Sequence, residues 1–379
     1  MNYLKIRNLS HPQKGFYGIG ASATEYNDQY PQYLRITDID DNCNVSTILP
    51  TCVDINVYPK WNQYLLKVND IVFARTGNST GRNYFCKKIK KDTVFAGFLV
   101  KFSINPELVI PNYVGYYCQS PSYWKQIRAM FIGSTRANIN AKQYADLLIP
   151  IVDRTNQHHI VNTIGSVDNL IENYQERINK ICNILFISLK KYTEKISIKY
   201  YEPKIIKSGI TKFDKTKIYI DTSKIEGINN MSNGNIITFN KRPSRANMQP
   251  IKNSVWFAKM KESNKKLIIT ENDFDLINDY ILSTGYLGVE ASSKIPLSLL
   301  LGIIISSDFN EQRDLNSVGT TMAGINNETF LNILVPKLSD DEILKYDKNY
   351  HSFINELSLL RKKINELRVI KSKLLEKYF

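Results

Sequence analysis

The sequence predicts an α+β protein built twice: a mixed domain of short strands and helices followed by one long helix, then the same arrangement again. Three observations carry this. A short motif recurs 186 residues further along, a long apolar heptad follows each copy, and short β-type runs precede each copy.

The first β-type runs are Tyr33-Leu34-Arg35-Ile36, Asp70-Ile71-Val72-Phe73-Ala74 and Gly97-Phe98-Leu99-Val100-Lys101-Phe102. Each is bounded by turn residues, as strands are. The stretch 112–130 reads as a helix. It leads into Gly133-Ser134-Thr135-Arg136-Ala137-Asn138-Ile139-Asn140. The second copy reads Gly319-Thr320-Thr321-Met322-Ala323-Gly324-Ile325-Asn326. The register continues without a gap: Tyr144, Leu147, Leu148, Ile149 and Pro150 correspond to Phe330, Ile333, Leu334, Val335 and Pro336. Upstream, Asp70-Ile71-Val72-Phe73-Ala74-Arg75 resembles Ser254-Val255-Trp256-Phe257-Ala258-Lys259, and Ala96-Gly97-Phe98-Leu99 resembles Thr284-Gly285-Tyr286-Leu287. The shared order makes a tandem duplication the economical reading.

Three residues past each proline comes a helix-start signal. Asp153 suits an N-cap, and Ser339-Asp340-Asp341-Glu342 forms a capping box, whose Ser and Glu oxygens satisfy backbone N–H groups at the first turn. The first heptad runs through Ile160, Ile164, Val167, Ile171, Tyr174, Ile178, Ile181 and Leu185, and resumes at Leu189, Tyr192 and Ile196. The second runs through Ile343, Tyr346, Tyr350, Phe353, Leu357, Leu360, Ile364, Leu367, Leu374 and Tyr378, with Lys371 polar at one position. An apolar period of 3.5 sustained this long predicts a coiled-coil seam, centred on Ile164, Ile171, Ile178 and Leu185 in one helix and Tyr350, Leu357, Ile364 and Leu367 in the other. The bland alternative is one edge of a compact bundle. The expected boundaries are 1–150 for the first domain, 151–200 for its helix, 201–337 for the second domain and 338–379 for its helix.

Composition narrows the function. The chain has 379 residues and a hydrophobic fraction of 43%, ordinary for a folded soluble protein. No apolar run approaches the ~18 residues of a membrane span, and the N-terminus lacks a signal-peptide core, so an intracellular, cytoplasmic protein without a membrane partner is expected. Five scattered cysteines show no CxxC spacing, and only four histidines are present. His158 and His159 are adjacent and would diverge by ~100° on a helix, so they do not form a chelating pair. Asp38-Ile39-Asp40-Asp41 suits an exposed acidic loop better than a metal site.

No catalytic signature is present. There is no P-loop, and Tyr17-Gly18-Ile19-Gly20 completes no GxGxxG and reads as a loop. The N/D-P-P-Y tetrapeptide of amino-methyltransferases is missing, and the histidines are too few for a Ser-His-Asp set. Neither a catalytic residue nor a metal ligand is assigned.

A formal net charge of +14 instead suggests a polyanionic partner, nucleic acid first. An Asn-, Ile- and Lys-rich composition from an AT-rich genome would also be basic. The polar loop Arg75-Thr76-Gly77-Asn78-Ser79-Thr80-Gly81-Arg82-Asn83 follows a strand, with Lys87 and Lys88 close behind. Arg and Asn present planar bidentate groups that fit guanine and adenine edges, and Thr hydroxyls suit phosphates. The DNA-contact candidates of the first half are therefore Arg75, Thr76, Asn78, Thr80, Arg82, Asn83, Lys87, Lys88 and Arg136. Those of the second are Lys241, Arg242, Arg245, Lys259, Lys265 and Lys266. A solvated basic loop is the competing reading for any one of them.

These motifs resemble the specificity (S) subunits of type I restriction-modification enzymes. The runs at 33–39, 70–77, 96–99 and 133–150 are similar to that family's recognition-domain motifs, and the helices after Pro150 and Pro336 to its spacer regions. The resemblance covers nearly the whole chain. It is looser in the second half, where Lys259-Met260-Lys261 replaces the Arg-Thr-Gly loop and the domain is short and diverged. It implies two target recognition domains, each reading one half of a bipartite site on double-stranded DNA, and two antiparallel helices that set the gap. The halves would then be related by a pseudo-two-fold axis. It further implies two methyltransferase (M) subunits docked on this chain, joined by restriction/motor (R) subunits, in phage defence. Adenine methylation with S-adenosylmethionine, and cleavage with ATP and Mg, would belong to those partners, and this chain would bind no cofactor. The rival without DNA is a coiled-coil scaffold with incidental basic loops.

Overall fold

All five residues of Asp70–Ala74 are buried, as expected of a strand covered on both faces. A computed structural model of the chain, which describes residues 2–46, 48–130, 138–317 and 323–379, places this strand inside a four-stranded sheet. Its order is Phe16–Tyr17, Leu99–Ser103, Asp70–Ala74, Asn83–Phe85, antiparallel throughout. A second sheet orders Thr24–Glu25, Thr51–Cys52, Gln32–Leu34 and Thr93–Phe95, the last two parallel. Asn2–Lys5 pairs with Leu148–Ile151. The predicted helix at 112–130 is two helices, Pro111–Tyr117 and Pro121–Ala129. The break has a local cause. Pro121 has no N–H to continue a helix, and Ser120 Oγ accepts from Tyr123 N–H at 3.2 Å to cap a new one.

The described residues fall into two units, Met1–Asn169 with Arg368–Phe379, and Leu170–Leu367. The second unit repeats the strand logic of the first. Ser254–Ala258 is again wholly buried, in the order Lys204–Ile205, Tyr286–Glu290, Ser254–Ala258, Lys266–Ile269. A companion sheet again contains one parallel pair, Lys217–Ile220 with Tyr280–Ser283. Lys195–Ser197 pairs with Leu334–Pro336, and Leu297–Ile304, Ser307–Leu315 and Asn327–Leu331 follow in the expected places. The repeat found in the sequence is thus also a repeat of strand order and pairing sense. The Gly-Ser-Thr and Gly-Thr-Thr triplets that opened it, at 133–135 and 319–321, lie outside the described residues.

The long helices are Arg154–Leu189 and Asp340–Tyr378, of 36 and 39 residues. At 1.5 Å per residue they run about 54 and 58 Å. Asp153 Oδ1 accepts from Asn156 N–H at 2.9 Å, and Ser339 and Glu342 close their reciprocal box at 2.8 and 3.4 Å. The heptad overruns the first helix. Tyr192 lies just past the turn that ends the helix, its N–H donating to the Leu189 carbonyl, and Ile196 is in a strand opposite Val335. Both pack on the same core as the helix, so apolar spacing continues after helical geometry has stopped.

Within the second unit, Ile178 and Leu185 share a core with Leu357 and Ile364, and Ile171 and Tyr350 pack against it half-buried. Within the first, Ile160 and Ile164 share a core with Leu375. Leu367 is half-buried. The buried face of the second helix is wider than a heptad stripe, for it also includes Ile354 and Arg361. Arg361 pairs with Asp273 at 2.6 Å, the side chains 1% and 0% exposed. Asp273 also accepts from Ser358 Oγ at 2.5 Å and from Thr270 N–H at 2.7 Å. Burial would raise its pKa, but the Arg361 charge and these hydrogen bonds outweigh burial and hold it below the ordinary carboxylate value. In the first unit, Asp168 accepts from Lys87 and Lys371, both at 2.7 Å, and from Tyr116 OH at 3.0 Å. Burial opposes ionisation there too, and the two lysines more than offset it.

Removing one partner of a buried pair strands the other charge. Arg361→Met is expected to cost about 3–5 kcal/mol in urea unfolding, whereas a loss under 1 kcal/mol would show that Asp273 is solvated. Asp168 has a folded pKa below its unfolded one. Its contribution is therefore complete at neutral pH and is lost as pH falls below about 4, through the depressed value. The gap in thermal midpoint between wild type and Asp168→Asn should accordingly narrow from pH 7 to pH 3; a constant gap would contradict this.

Candidate nucleic-acid interface

The buried central strand of the first unit ends at Ala74, and Arg75 is the first residue beyond it. Its backbone is held on both sides. Arg75 N–H donates to the Phe98 carbonyl at 3.0 Å, and Ile139 N–H donates to the Arg75 carbonyl at 2.9 Å. The guanidinium carbon lies 4.8 Å from the centre of the Tyr17 ring. The Tyr17 hydroxyl accepts in turn from Ala141 N–H at 3.0 Å. Arg75 Nε is buried and has no hydrogen-bond partner among the described residues.

The loop after Arg75 is a tight turn. Thr76 bridges to Asn138, and Gly77 and Gly81 adopt φ of +72° and +91°, where a side chain would be strained. A Cβ on Gly81 would also approach the Ile127 side chain to 2.6 Å. Asn78 is exposed at the turn, whereas Thr80 is buried with its hydroxyl donating to the Gly77 carbonyl at 2.7 Å. Arg82 donates to the Ile39 carbonyl at 3.2 Å and pairs with Asp41. The acidic run is therefore spent internally, since Asp38 binds Arg35 and Asp40 holds the Asn42 and Asn44 backbones.

Other first-unit candidates behave differently. Asn83 is 0% exposed, its amide donating to the Cys118 carbonyl at 2.7 Å, so the expectation that it contacts DNA is corrected: its planar group is consumed in packing. Lys87 is drawn to Asp168. Lys88 is exposed. Arg136 lies outside the described residues.

Lys259 occupies the equivalent place in the second unit. Its N–H donates to the Gly285 carbonyl at 2.9 Å, and Ile325 N–H donates to its carbonyl at 3.0 Å. Met260 bridges to Gly324 as Thr76 does to Asn138. Burial pushes the Lys259 pKa down. Thr284 N–H donates to the Arg245 carbonyl at 2.9 Å, so Arg245 and Lys259 flank one turn, Thr284-Gly285. Arg245 and Lys241 are exposed, and Arg242 stacks on Phe239 with 4.2 Å to the ring centre. Lys265 donates to the Thr222 carbonyl at 2.7 Å, and burial lowers its pKa. Lys266 must be corrected. It is 3% exposed, donates to Asn310 Oδ1 at 3.1 Å and is directed inward. Burial, reinforced by Arg313, pushes its pKa down to about 8.

The structure therefore gathers Arg75, Thr76 and Asn78 at one edge, and Arg245 and Lys259 at its counterpart. It withdraws Asn83, Thr80 and Lys266 into the frame. Sequence reasoning missed Tyr17, which it placed in a loop. Tyr17 is in fact in a strand, opposite Val100, and only tertiary pairing carries it under Arg75. Among the described residues, no three His, Cys, Asp or Glu side chains are grouped to hold a metal ion, and no helix is long and apolar enough to cross a membrane.

Residues 19–183, less than half of the chain, match the model of the type I restriction modification DNA specificity domain. Specificity subunits of that family are the non-catalytic DNA-recognition component of their system. Comparison with curated protein sequences finds no match. Among solved structures, the chain is similar to the type I restriction-modification S subunit from M. genitalium, at 15% identity, over 100% of this chain and 96% of that one, with a TM-score of 0.46. The HsdS subunit from Thermoanaerobacter tengcongensis matches at 10% identity over 100% and 96%, TM-score 0.35. A chain from a structural study of assembly and conformational transition in the type I R-M system matches at 11% over 100% and 97%, TM-score 0.34.

Lys266 yields a test of the frame. Its folded pKa lies below the ordinary lysine value of 10.5, so the charged form destabilises the fold below about pH 8, and the penalty fades toward pH 10.5. Lys266→Met should raise the thermal midpoint at pH 7, with the gain shrinking between pH 8 and 10. Destabilisation at every pH would refute the inward, desolvated placement.

Proposed function

We propose that the chain is the DNA sequence-specificity subunit of a type I restriction-modification complex. Each unit reads one half of a bipartite site, and the long helices set the gap and dock two methyltransferase subunits, with restriction/motor subunits joining them. The observation that carries the reading is the matched pair Arg75 and Lys259. Each is a cation placed directly after a buried central strand, with its backbone fixed by the same two hydrogen bonds. A preorganised cation at the edge of a rigid sheet suits contact with a base edge or phosphate, because little ordering remains to be done on binding. The net charge of +14 supports attraction to the duplex at long range. Under this reading the chain itself holds no cofactor. S-adenosylmethionine, ATP and Mg act on the partner subunits, and the complex serves phage defence in the cytoplasm.

The test is duplex binding by the full chain, alone and with a methyltransferase subunit. Arg75→Ala should cost roughly 1–3 kcal/mol on the selected site and little on random DNA. Equal loss on both would make Arg75 a phosphate contact. Absence of DNA binding in either format would favour a protein scaffold instead.

A further inference from the structure

We propose that the first unit reads a guanine through Arg75, and that Tyr17 is the positioning residue that makes this arginine base-specific. The inference rests on the DNA-reading function above. It begins with an imbalance at the Arg75 side chain. Nε is buried with no hydrogen-bond partner among the described residues. A buried donor without an acceptor is costly, so the geometry is complete only when something accepts from it.

Tyr17 limits what that acceptor can be. The ring is 43% exposed and is fixed from two directions: its backbone pairs with Val100, and its hydroxyl accepts from Ala141 N–H at 3.0 Å. The guanidinium lies over this ring at 4.8 Å. Stacking occupies one face of the guanidinium plane and leaves its donor edge to be used in-plane. An in-plane fork of N–H donors matches two coplanar acceptors. In the major groove, guanine offers that pair at O6 and N7, whereas adenine presents one acceptor beside a donor.

The second unit supplies a contrast. The strand matching Phe16–Tyr17 is Lys204–Ile205, but its Ile205 faces Val289, opposite Val255, two positions further from the edge than the Val100 that Tyr17 faces, so Ile205 is not placed under the cation, which here is Lys259. A lysine is a point charge without a planar fork. The two edges share a framework and differ in the chemistry of recognition, so they should demand different bases.

The experiment selects bound duplexes from a random pool with the full chain, then replaces each conserved guanine with 7-deazaguanine, which lacks N7. Wild type should show one guanine whose replacement weakens binding roughly 5- to 150-fold. Arg75→Ala removes the donor fork and should abolish that penalty, and Arg75→Lys, a point charge that can reach the same acceptors, should only reduce it. Tyr17→Leu should reduce it, and Tyr17→Trp should retain it. Selection of no sequence would overturn the DNA-reading function and this inference together. A selected sequence whose guanine preference survives Arg75→Ala, or a uniform loss on all DNA, would overturn the guanine assignment alone. A Tyr17→Leu penalty equal to wild type would remove Tyr17 from its positioning role.

Discussion

Both cores are closed by helix side chains that lie far from them in sequence. In the first unit Ile160, Ile164 and Leu375 join the sheet residues Phe73 and Phe102, and the Phe379 ring meets those of Tyr113 and Tyr117 at 5.2 and 5.5 Å. In the second, Ile178 to Leu189 and Ile343 to Ile364 enclose Leu299, Leu300 and Leu301. A small four-stranded sheet has two faces to cover and few residues to cover them with. The long helices supply the missing apolar area. They are therefore part of each domain's core, and a helix residue changed for spacing or docking is also a residue changed for folding.

Polar groups inside these packed faces fix what apolar contact leaves open. Leucine and isoleucine stripes tolerate sliding, because any shift by a helical repeat buries similar area. Asp168 with two lysines and Arg361 with Asp273 tolerate none, since a displaced partner leaves a charge in a dry site. Against a hydrophobic replacement of the whole pair their stabilisation is small or negative, whereas loss of one partner alone is costly. The same residues explain why Lys87 is poorly suited to DNA. Its charge is already committed to Asp168, beneath the loop it follows.

The sequence made the framework visible and left the reading edge partly hidden. Periodicity identified Asp70–Ala74, the capping residues Asp153 and Ser339, and the order of elements in both copies, because each follows from local chemistry. It failed where tertiary structure decides. Ser120-Pro121 splits a stretch whose apolar pattern runs on, and the heptad at Tyr192 and Ile196 persists because strand and helix face one core. Asn83 and Lys266 have the composition of DNA contacts and the burial of core residues. The Ala141 N–H that fixes Tyr17 lies 124 positions away, so no local pattern could bring the two together.

Duplication and divergence are reconciled by where the constraint falls. The residue after the central strand must have an N–H and a carbonyl bonded to fixed partners, which any non-proline residue provides. Its side chain leaves the sheet at that point, only partly buried and outside the apolar core clusters. Arg75 and Lys259 thus share a backbone position without sharing chemistry. A frame that fixes the main chain and frees the side chain can change what it recognises without being refolded. The separation of the two demands makes the edges, rather than the cores, the place where the copies differ in exposed chemistry.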